Sequence, residues 1–400
     1  MVTLPKAKWR TSAGMKRLLD ALDASKGASR FVGGAVRDTL LGLPVSDLDI
    51  ATRIQPYEVV ERLEAAHIKA IPTGIAHGTV TAVSSGTVVE VTTLRSDVTT
   101  DGRRATVAFT DDWREDAARR DFTINALYAD PASGEIFDYF GGLDDVAAGR
   151  IRFIGEPLER IAEDHLRILR FFRFHARFGK GEPDAAALAA CTERANDLMA
   201  LSRERIADEL LKLLGMQWPS PTVAIMLDRH ILRPVLPEIV ATAMPSLDLL
   251  IAAEHSANFA PDPLRRLSAL LPRDPLLAEK IAVRLKLSNR ARKRLACAAE
   301  DDLGANPHAL AYRSGLPCAT DRLLLADRPA EAAALQDWPI PRLPIGGGAL
   351  VARGLTAGPT VARTLKAIED AWVAAGFPTG DAFKAIVNDA LESAVAAVRT

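Results

Sequence analysis

The chain has 400 residues, with 50 Lys+Arg against 51 Asp+Glu and a net charge of -1. This length predicts two or three domains, and a composition of 48% hydrophobic and 25% charged residues excludes wholesale disorder. The balanced charge offers no global basic field, so any nucleic-acid partner must be held by local patches. The N-terminus lacks a signal-peptide pattern, and no stretch approaches the roughly 20 apolar residues of a membrane span. Three scattered cysteines, Cys191, Cys297 and Cys318, are too few for a disulfide framework or a zinc cluster. We therefore expect a cytoplasmic protein without a membrane partner.

The first 145 residues predict a mixed α and β region. Residues 84–86, Ser-Ser-Gly, separate two β-branched runs and indicate a hairpin. The polar segment 97–114 is expected to be a mobile loop with one strand at 105–109. In chain order the patterns predict helix 15–24, strand 30–34, helix 35–41, strand 46–52, helix 57–67, and strands 78–83 and 87–93.

Beyond about residue 150 the sequence is rich in Ala, Leu, Arg and Glu and is interrupted by Pro and Gly, which predicts helix after helix to the C-terminus. Residues 339–348 are the strongest candidate for an inter-domain joint. The expected fold class is α+β, with a mixed-sheet head followed by an all-α body and tail. We divide the chain into a head (1–145), a helical neck (146–215) and a helical body and tail (216–400).

A first group of residues combines Gly33-Gly34-Ala35-Val36-Arg37-Asp38 with Ser46-Asp47-Leu48-Asp49-Ile50. Two glycines between a strand and a helix allow close approach of a ligand, and the helix N-terminus favours anions. Alternation on a strand would place Asp47 and Asp49 on one face, where a cation such as Mg²⁺ would neutralise them. The alternative is an edge strand with two solvated acids after an ordinary turn.

Glu90 interrupts a β-branched strand that otherwise favours burial. If this strand lies beside the strand of Asp47 and Asp49, Glu90 completes a three-carboxylate cluster suited to phosphoryl transfer. Otherwise Glu90 occupies the exposed face of an antiparallel strand.

A second group spans residues 116–126 and contains Arg119-Arg120-Asp121 followed by Asn125. Paired arginines can grip phosphates, and the neighbouring acid and amide can bind a ribose. The alternative is a helix N-terminus with solvated charges.

A third group, Glu163-Asp164-His165-Leu166-Arg167, continues to Arg170 and Arg173. On one helix, Asp164 and Arg167 would be neighbours one turn apart, able to accept from and donate to the Watson–Crick edge of a base. The arginines would form a row beside an apolar stripe of Ile168, Leu169, Phe172 and Ala176. The spacing alone favours an ordinary surface ion pair.

These motifs, together with Ser-Arg-Glu-Arg-Ile at 202–206, occur in an order that resembles the class II tRNA nucleotidyltransferase and bacterial poly(A) polymerase family of the polymerase β-like superfamily. The resemblance covers roughly residues 28–210 and is weaker beyond, although Gly-Leu-Thr-Ala-Gly-Pro at 354–359 is similar to a turn in the family's tail. It implies a polymerase β-like head, Mg²⁺ as cofactor, CTP and ATP as substrates, and the 3′ end of tRNA as partner, with no DNA expected.

Residue by residue, the resemblance implies that Asp47 and Asp49 hold Mg²⁺, with Glu90 matching the third acidic position less securely. Asp164 and Arg167 would select CTP and ATP, and residues 97–114 would be the flexible element for switching from C to A. The remaining nucleotide contacts would come from Gly34, Arg37, Arg119, Arg120, Asp121, Arg170 and Arg173.

Two alternatives to CCA addition are a poly(A) polymerase and a non-catalytic RNA-binding protein that retains the fold. Residues 73–80 lack the Gly-(Arg/Lys)-(Arg/Lys)-Phe element typical of bacterial poly(A) polymerases, and Asp101-Gly102-Arg103 is kept, unlike in CC-only enzymes. Intact acids and arginines in every motif argue against the non-catalytic alternative.

Overall fold

The computed structural model describes residues 2–101, 104–304 and 306–399. The chain divides into two compact units, Met1–Pro237 and Glu238–Thr400. The predicted boundaries after residues 145 and 215 fall inside the first unit, and the expected joint at 339–348 falls inside the second. The division into head, neck and body therefore stays a prediction.

A seven-stranded mixed sheet organises the start of the first unit, in the order β3-β4-β5-β2-β1-β8-β9. Strands β2 and β5 are parallel, whereas every other neighbouring pair in this sheet is antiparallel. The strands are β1 Ser29–Val32, β2 Asp49–Thr52, β3 Lys69–Gly74, β4 Thr79–Ser84, β5 Thr87–Thr93, β8 Leu127–Ala129 and β9 Ile136–Asp138.

One face of this sheet packs on helices, and its core includes Phe31, Ile50, Val80 and Val91. The other face is covered only in part, by a second cluster around Trp113 and Tyr128. The helices of this region are α1 Ala13–Ala21, α2 Gly34–Leu40, α3 Pro56–Ala65, α4 Trp113–Ala118 and α5 Gly142–Ala148.

The predicted hairpin at residues 84–86 is confirmed. Ser84 ends β4 and Thr87 begins β5, and the two turn residues, Ser85 and Gly86, have φ of 48° and 78°. Two consecutive residues with positive φ match the right-handed twist of the flanking strands, which is why Gly suits the second position.

The strand expected at 105–109 is confirmed, but the loop expected over the rest of 97–114 also contains a second strand and the start of a helix. Strands β6 Arg95–Asp101 and β7 Arg104–Phe109 form a separate antiparallel pair, and α4 begins at Trp113. Polar sequence does not exclude strands in a two-stranded ribbon, because such a ribbon has no face that must be buried. Gly102 and Arg103 of the predicted switching element lie outside the described residues.

The first unit continues as helices, as predicted. Residues 157–178 form two helices rather than one, a difference that affects the third group of residues. The helices are α6 Pro157–Glu163, α7 Arg167–Phe178, α8 Ala185–Glu193, α9 Arg203–Leu214 and α10 Ser220–Asp228.

In the second unit, all the regular elements among the described residues are helical. Within this unit a buried ion network joins four helices: Glu254 pairs with Arg265 and Arg266, and Asp321 pairs with Arg265 and Arg294. The helices are α11 Met244–Ser256, α12 Pro263–Leu270, α13 Pro275–Arg284, α14 Asn289–Ala298, α15 Pro307–Ser314, α16 Leu316–Leu325, α17 Pro329–Ala333, α18 Gly347–Val351, α19 Pro359–Ala374 and α20 Gly380–Arg399. None of the helices in the described ranges has the length and apolarity needed to cross a bilayer.

The number and spacing of the cysteines did not predict a disulfide, but the structure contains one. Cys297 on α14 and Cys318 on α16 form a disulfide with their Cα atoms 6.0 Å apart, while Cys191 is free and buried. The two cysteines are 21 residues apart in sequence, and α15 returns the chain so that α16 packs against α14. Spacing alone does not reveal such a packing contact.

Candidate active site

Asp49 and Glu90 lie directly opposite each other on the parallel strands β2 and β5. The backbone N–H of Glu90 donates to the carbonyl of Leu48 at 2.9 Å, which fixes the register at the start of β2. Directly paired residues direct their side chains to the same face of a sheet. The predicted neighbourhood of the two strands is therefore confirmed, and both carboxyl groups lie on the partly covered face.

Asp47 reaches this region differently from the prediction. The strand expected over 46–52 begins only at Asp49, so Asp47 lies before it, exposed, with its carboxylate accepting from the Ser46 hydroxyl at 3.2 Å. The antiparallel pairing of β1 with β2 reaches only Phe31 and Ile50, and Gly33, which has a positive φ, begins the turn into α2. Because the segment before Asp49 has no β1 partner, it does not extend strand β2. The alternation of side chains along a strand therefore does not determine where the Asp47 side chain lies.

The carboxylates nonetheless interact. Burial, together with the nearby charges of Glu90 and Asp47, raises the pKa of Asp49 to about 6 against the opposing effect of Arg120. This repulsion is what a hard cation would relieve, and oxygen donors suit Mg²⁺. Within the described ranges no three Asp, Glu, His or Cys side chains are gathered closely enough to hold a metal ion. The donor set fits an ion that completes its shell with phosphate oxygens and water, as Mg²⁺ commonly does.

The Gly33–Gly34 turn brings backbone close to this carboxylate. Gly33 has φ of 69°, and a Cβ there would lie 3.5 Å from an Arg120 nitrogen and 3.9 Å from a carboxylate oxygen of Asp49. A Cβ on Gly34 would lie 3.6 Å from a nitrogen of Arg37. The turn is thus a backbone surface bordered by two guanidinium groups and one carboxylate, a setting suited to a phosphate chain.

Arg37 is buried and already partnered. Its guanidinium donates to Asp38 at 2.8 Å and to the side-chain oxygen of Asn125, and it lies 4.1 Å from the centre of the Phe178 ring. Burial lowers the pKa of Arg37 despite the pairing with Asp38. Its contact with a nucleotide stays a prediction, and its present partners give it a role in anchoring the turn.

Asp116 organises the two arginines of the second group, which the sequence alone did not reveal. It is 1% exposed and accepts from Arg119 at 2.9 Å, from Arg120 at 3.2 Å and from the Tyr128 hydroxyl at 2.6 Å. These partners outweigh burial and lower the pKa of Asp116 to about 2. The alternative of a helix N-terminus with solvated charges is wrong for Asp116. Its spacing of three and four residues to the arginines was the available signal.

Asp121 joins the head to helix α7. One carboxylate oxygen accepts from the Phe122 N–H and the Asn125 amide, both at 2.9 Å, and the other accepts from Arg170 Nε at 2.9 Å. Together these contacts lower the pKa of Asp121 to about 2, even though the group is buried. Asp121 therefore stays ionised at neutral pH and holds Arg170 in an ion pair.

The assumption of one continuous helix through the third group is wrong. Helix α6 ends at Glu163, Asp164 has extended backbone with φ of -152° and ψ of 105°, and α7 begins at Arg167. The Asp164 side chain accepts from the Leu166 N–H at 3.1 Å. Asp competes with helical hydrogen bonding in this way, which explains the interruption.

The side chains of Asp164 and Arg167 therefore do not pair with each other, and each has a different partner. Asp164 accepts from Arg205 at 2.7 Å. Arg167 donates to the carbonyl of Arg160 at 2.7 Å and pairs with Glu163. Both side chains lie at the α6–α7 junction and are only partly exposed. The ordinary Asp–Arg surface pair is therefore excluded, while template-like reading of a base stays a prediction.

The predicted row of arginines on α7 is present, and each member has an acidic partner. Beyond Arg170, Arg173 donates to Glu209 at 2.5 Å and Arg177 to Asp38 at 2.9 Å. Glu209 is 4% exposed and was not anticipated from the sequence. The predicted apolar stripe packs as expected, with Ile168, Leu169 and Phe172 buried and Ala176 partly buried.

Two family descriptions match the chain. "Poly A polymerase head domain" matches residues 29–152, and "Probable RNA and SrmB- binding site of polymerase A" matches residues 182–242. The first range contains the carboxylates, the Gly33–Gly34 turn and the paired arginines.

Several proteins and solved structures are similar to this chain over half or more of their length. The chain is 34% identical over 383 residues to the mitochondrial CCA tRNA nucleotidyltransferase 1 of Homo sapiens, covering 91% of this chain and 87% of that protein. It is 40% identical over 220 residues to a CCA-adding enzyme of Leuconostoc citreum, covering 54% and 53%. A solved structure of the Bacillus stearothermophilus CCA-adding enzyme in complex with CTP matches with a TM-score of 0.74 and 27% identity, covering 91% and 94%.

Proposed function

Because the chain belongs to the CCA-adding family of tRNA nucleotidyltransferases, we infer that it adds C, C and A to the 3′ end of tRNA from CTP and ATP and releases pyrophosphate. It is a nucleotidyltransferase that works without a nucleic-acid template. One observation supports assigning this function to particular residues. The register of β2 and β5 places Asp49 opposite Glu90, and Asp49 also lies close to the Gly33 backbone and Arg120.

In this proposal Asp47 and Asp49 hold Mg²⁺, and Glu90, opposite Asp49 on β5, adds a negative charge beside the site. When bound there, Mg²⁺ would favour the alkoxide form of the attacking 3′-hydroxyl and offset charge on the phosphates. Glu90 lies on the partly covered face of the sheet and is exposed, so an RNA end can reach it. The chain's own contribution is to fix these carboxylates on adjacent strands before substrate arrives.

The triphosphate would lie against the Gly33–Gly34 turn. Arg120, fixed by Asp116 and the Tyr128 hydroxyl, places a nitrogen beside Gly33 and can neutralise the leaving pyrophosphate. We assign Arg119, Arg37 and Gly34 to the same phosphate surface. Because the network around Asp116 is buried, Arg120 needs little reorganisation when charge develops on the leaving group.

Nucleotide choice would depend on the α6–α7 junction. Asp164 accepts and Arg167 donates, so together they can match the hydrogen-bonding edges of cytosine and adenine. Arg205 holds Asp164 in place from helix α9. Asp121 with Arg170, and Arg173 with Glu209, would position the ribose and the remaining phosphate contacts.

RNA affinity would come from basic patches on the helices that follow the head, since the net charge of -1 provides no general attraction. We assign tRNA binding to residues 216–400 and the adjoining neck.

The test is nucleotide-by-nucleotide incorporation by the purified protein on tRNA that lacks its 3′ CCA. We expect two C additions with CTP alone, one A after CC with ATP, and no incorporation of UTP or GTP. Long A-tracts on unstructured RNA would identify a poly(A) polymerase instead. Absence of incorporation with Mg²⁺ present would favour a non-catalytic RNA-binding protein.

A cytoplasmic location remains our proposal. The Cys297–Cys318 disulfide weighs against the reducing compartment inferred from cysteine usage, and a relative is mitochondrial. Fractionation of cells that express the chain with a C-terminal tag would test the location.

A further inference from the structure

On the partly covered face of the sheet, β4 and β5 carry a set of threonines that extends outward from the carboxylates. Thr81 on β4 lies opposite Glu90 on β5, and Glu90 lies opposite Asp49 on β2, so the three residues form one row across three strands. A second row contains Thr79, opposite Thr92. With strands about 4.8 Å apart, Thr81 lies about 10 Å from Asp49 along its row.

The hydroxyl groups in these rows are linked in pairs. Thr73 and Thr81 lie 2.9 Å apart between their oxygens, and Thr79 and Thr92 lie 3.2 Å apart. Thr73 is exposed and the other three are half-buried. Two hydroxyls that share one hydrogen bond still offer one proton and several lone pairs to a third group. Each pair can therefore both donate to and accept from another hydroxyl.

The in-line geometry of the proposed reaction indicates which substrate group lies over these threonines. In the proposed function, the leaving pyrophosphate lies at Gly33 and Arg120, on the β1 side of Asp49. The attacking oxygen and the leaving oxygen are in line on opposite sides of the phosphorus. The attacking 3′-hydroxyl must therefore approach from the other side of Asp49, which is the side of β5 and β4.

We propose that the threonine rows of Thr79, Thr81 and Thr92 hold the terminal ribose of the acceptor RNA through its 2′-hydroxyl. A ribose 2′-hydroxyl needs one donor and one acceptor, which a threonine pair supplies, and this group distinguishes RNA from DNA. The rows adjoin Glu90 directly, so a ribose held there has its 3′-hydroxyl near the carboxylates. The surface therefore positions the primer and selects a ribonucleotide end.

This inference rests on the proposed function, and the experiment separates the two. Two tRNA primers ending in CC are compared, identical except that one has a 2′-deoxy terminal residue. We expect the wild-type protein to extend the ribose end about tenfold better in kcat/KM, the value of roughly one hydrogen bond. Thr81→Val and Thr79→Val keep the side-chain shape and should reduce extension of the ribose end toward the deoxy value, with the KM for ATP unchanged.

Two further variants control for folding and for the hydroxyl itself. Thr81→Ser retains the hydroxyl and should keep the preference. Thr87→Val changes a threonine on the opposite face of β5 and should alter neither primer. A wild-type protein without preference for the ribose end, or a Thr81→Val variant that slows both primers equally, would overturn the inference. A wild-type protein that extends neither primer would instead refute the proposed function.

Discussion

The carboxylate of Asp49 lies opposite Glu90 across a parallel strand pair, and this pair is the one parallel connection in the seven-stranded sheet. Parallel pairing requires a long crossover, here the α3–β3–β4 segment. The sequence distance between the two acids therefore follows from the topology. The arrangement places like charges close together at a partly covered face, where burial already disfavours the charged form of Asp49.

Replacing Asp49 should separate activity from stability. We expect Asp49→Asn to reduce nucleotide incorporation by on the order of 10³-fold, because the carboxylate would hold the ion. Without added metal, the free energy of unfolding should stay the same or rise by about 1 kcal/mol, because the amide removes a charge that burial and Glu90 disfavour.

Urea unfolding in EDTA measures that stability, and Asp20→Asn on the exposed surface of α1 is the matched control. A clear loss of stability in Asp49→Asn would show that Asp49 is a structural residue. Asp47→Ala should likewise abolish incorporation without unfolding the protein.

Arg167→Ala should relax the choice between nucleotides. We expect incorporation of UTP and GTP to rise relative to CTP and ATP, since the base would lose its donor. Steady-state rates with each nucleotide on tRNA lacking CCA measure the selection. Arg62→Ala, which removes a partly exposed arginine paired with Glu58 on α3, serves as control. Unchanged discrimination in Arg167→Ala would remove the selecting role from this residue.

Arg205 provides an independent test of the same junction. It donates to Asp164 at 2.7 Å and is not expected to touch the nucleotide itself. Arg205→Ala should weaken selection less than Arg167→Ala does, by roughly 3- to 10-fold, since Asp164 loses one hydrogen bond that orients it. Arg205→Lys should restore part of the selection because it keeps the charge. Identical selection in wild type and Arg205→Ala would contradict this positioning role.

Local patterns predicted much of the sheet and its acids. The turn at Ser85 and Gly86 and the β-branched strands around it followed from residue type alone, and the position of Glu90 within a strand pointed to the neighbouring acids. What the sequence could not supply was partner choice. Arg170 and Arg173 were expected to face a nucleotide, whereas Asp121 and Glu209 from distant segments bind them in this structure.

The break at Asp164 shows a second limit. Helical periodicity continued through residues 163–173, so the pattern favoured one helix. At the interruption the Leu166 N–H donates a hydrogen bond to the Asp164 side chain, and the strength of this bond relative to the helical alternative is set by the surrounding packing. The placement of Asp164 therefore depends on tertiary contacts such as the one with Arg205.

Asp116 should make the stability of the protein sensitive to acid. Its folded-state pKa, about 2, lies below the ordinary value of 3.8, so its contribution is present above pH 3.8 and is lost as the pH falls through about 2. We expect Asp116→Asn to lower the free energy of unfolding at pH 7 by about 2 to 4 kcal/mol, because the partly buried Arg119 and Arg120 lose a fully buried partner.

The difference between wild type and Asp116→Asn should shrink by about 1 kcal/mol between pH 5 and pH 3. Urea unfolding at several pH values measures it. Asp112→Asn, at an exposed position on the same helix start, is a control that removes a carboxylate without a buried arginine partner. A difference that is constant from pH 5 to pH 3 would contradict the assignment of the low pKa to Asp116.

The Cys297–Cys318 disulfide should stabilise the second unit. It closes a loop with a sequence separation of 21, for which the lost chain entropy of the unfolded state corresponds to about 3 kcal/mol. Reduction with dithiothreitol should therefore lower the unfolding temperature of wild type but leave the double variant Cys297→Ser/Cys318→Ser unchanged. Mass spectrometry after alkylation identifies the pair, and Cys191, which is buried, should react only on unfolding. Alkylation of Cys297 and Cys318 in the unreduced, unfolded protein would show that the bond is absent.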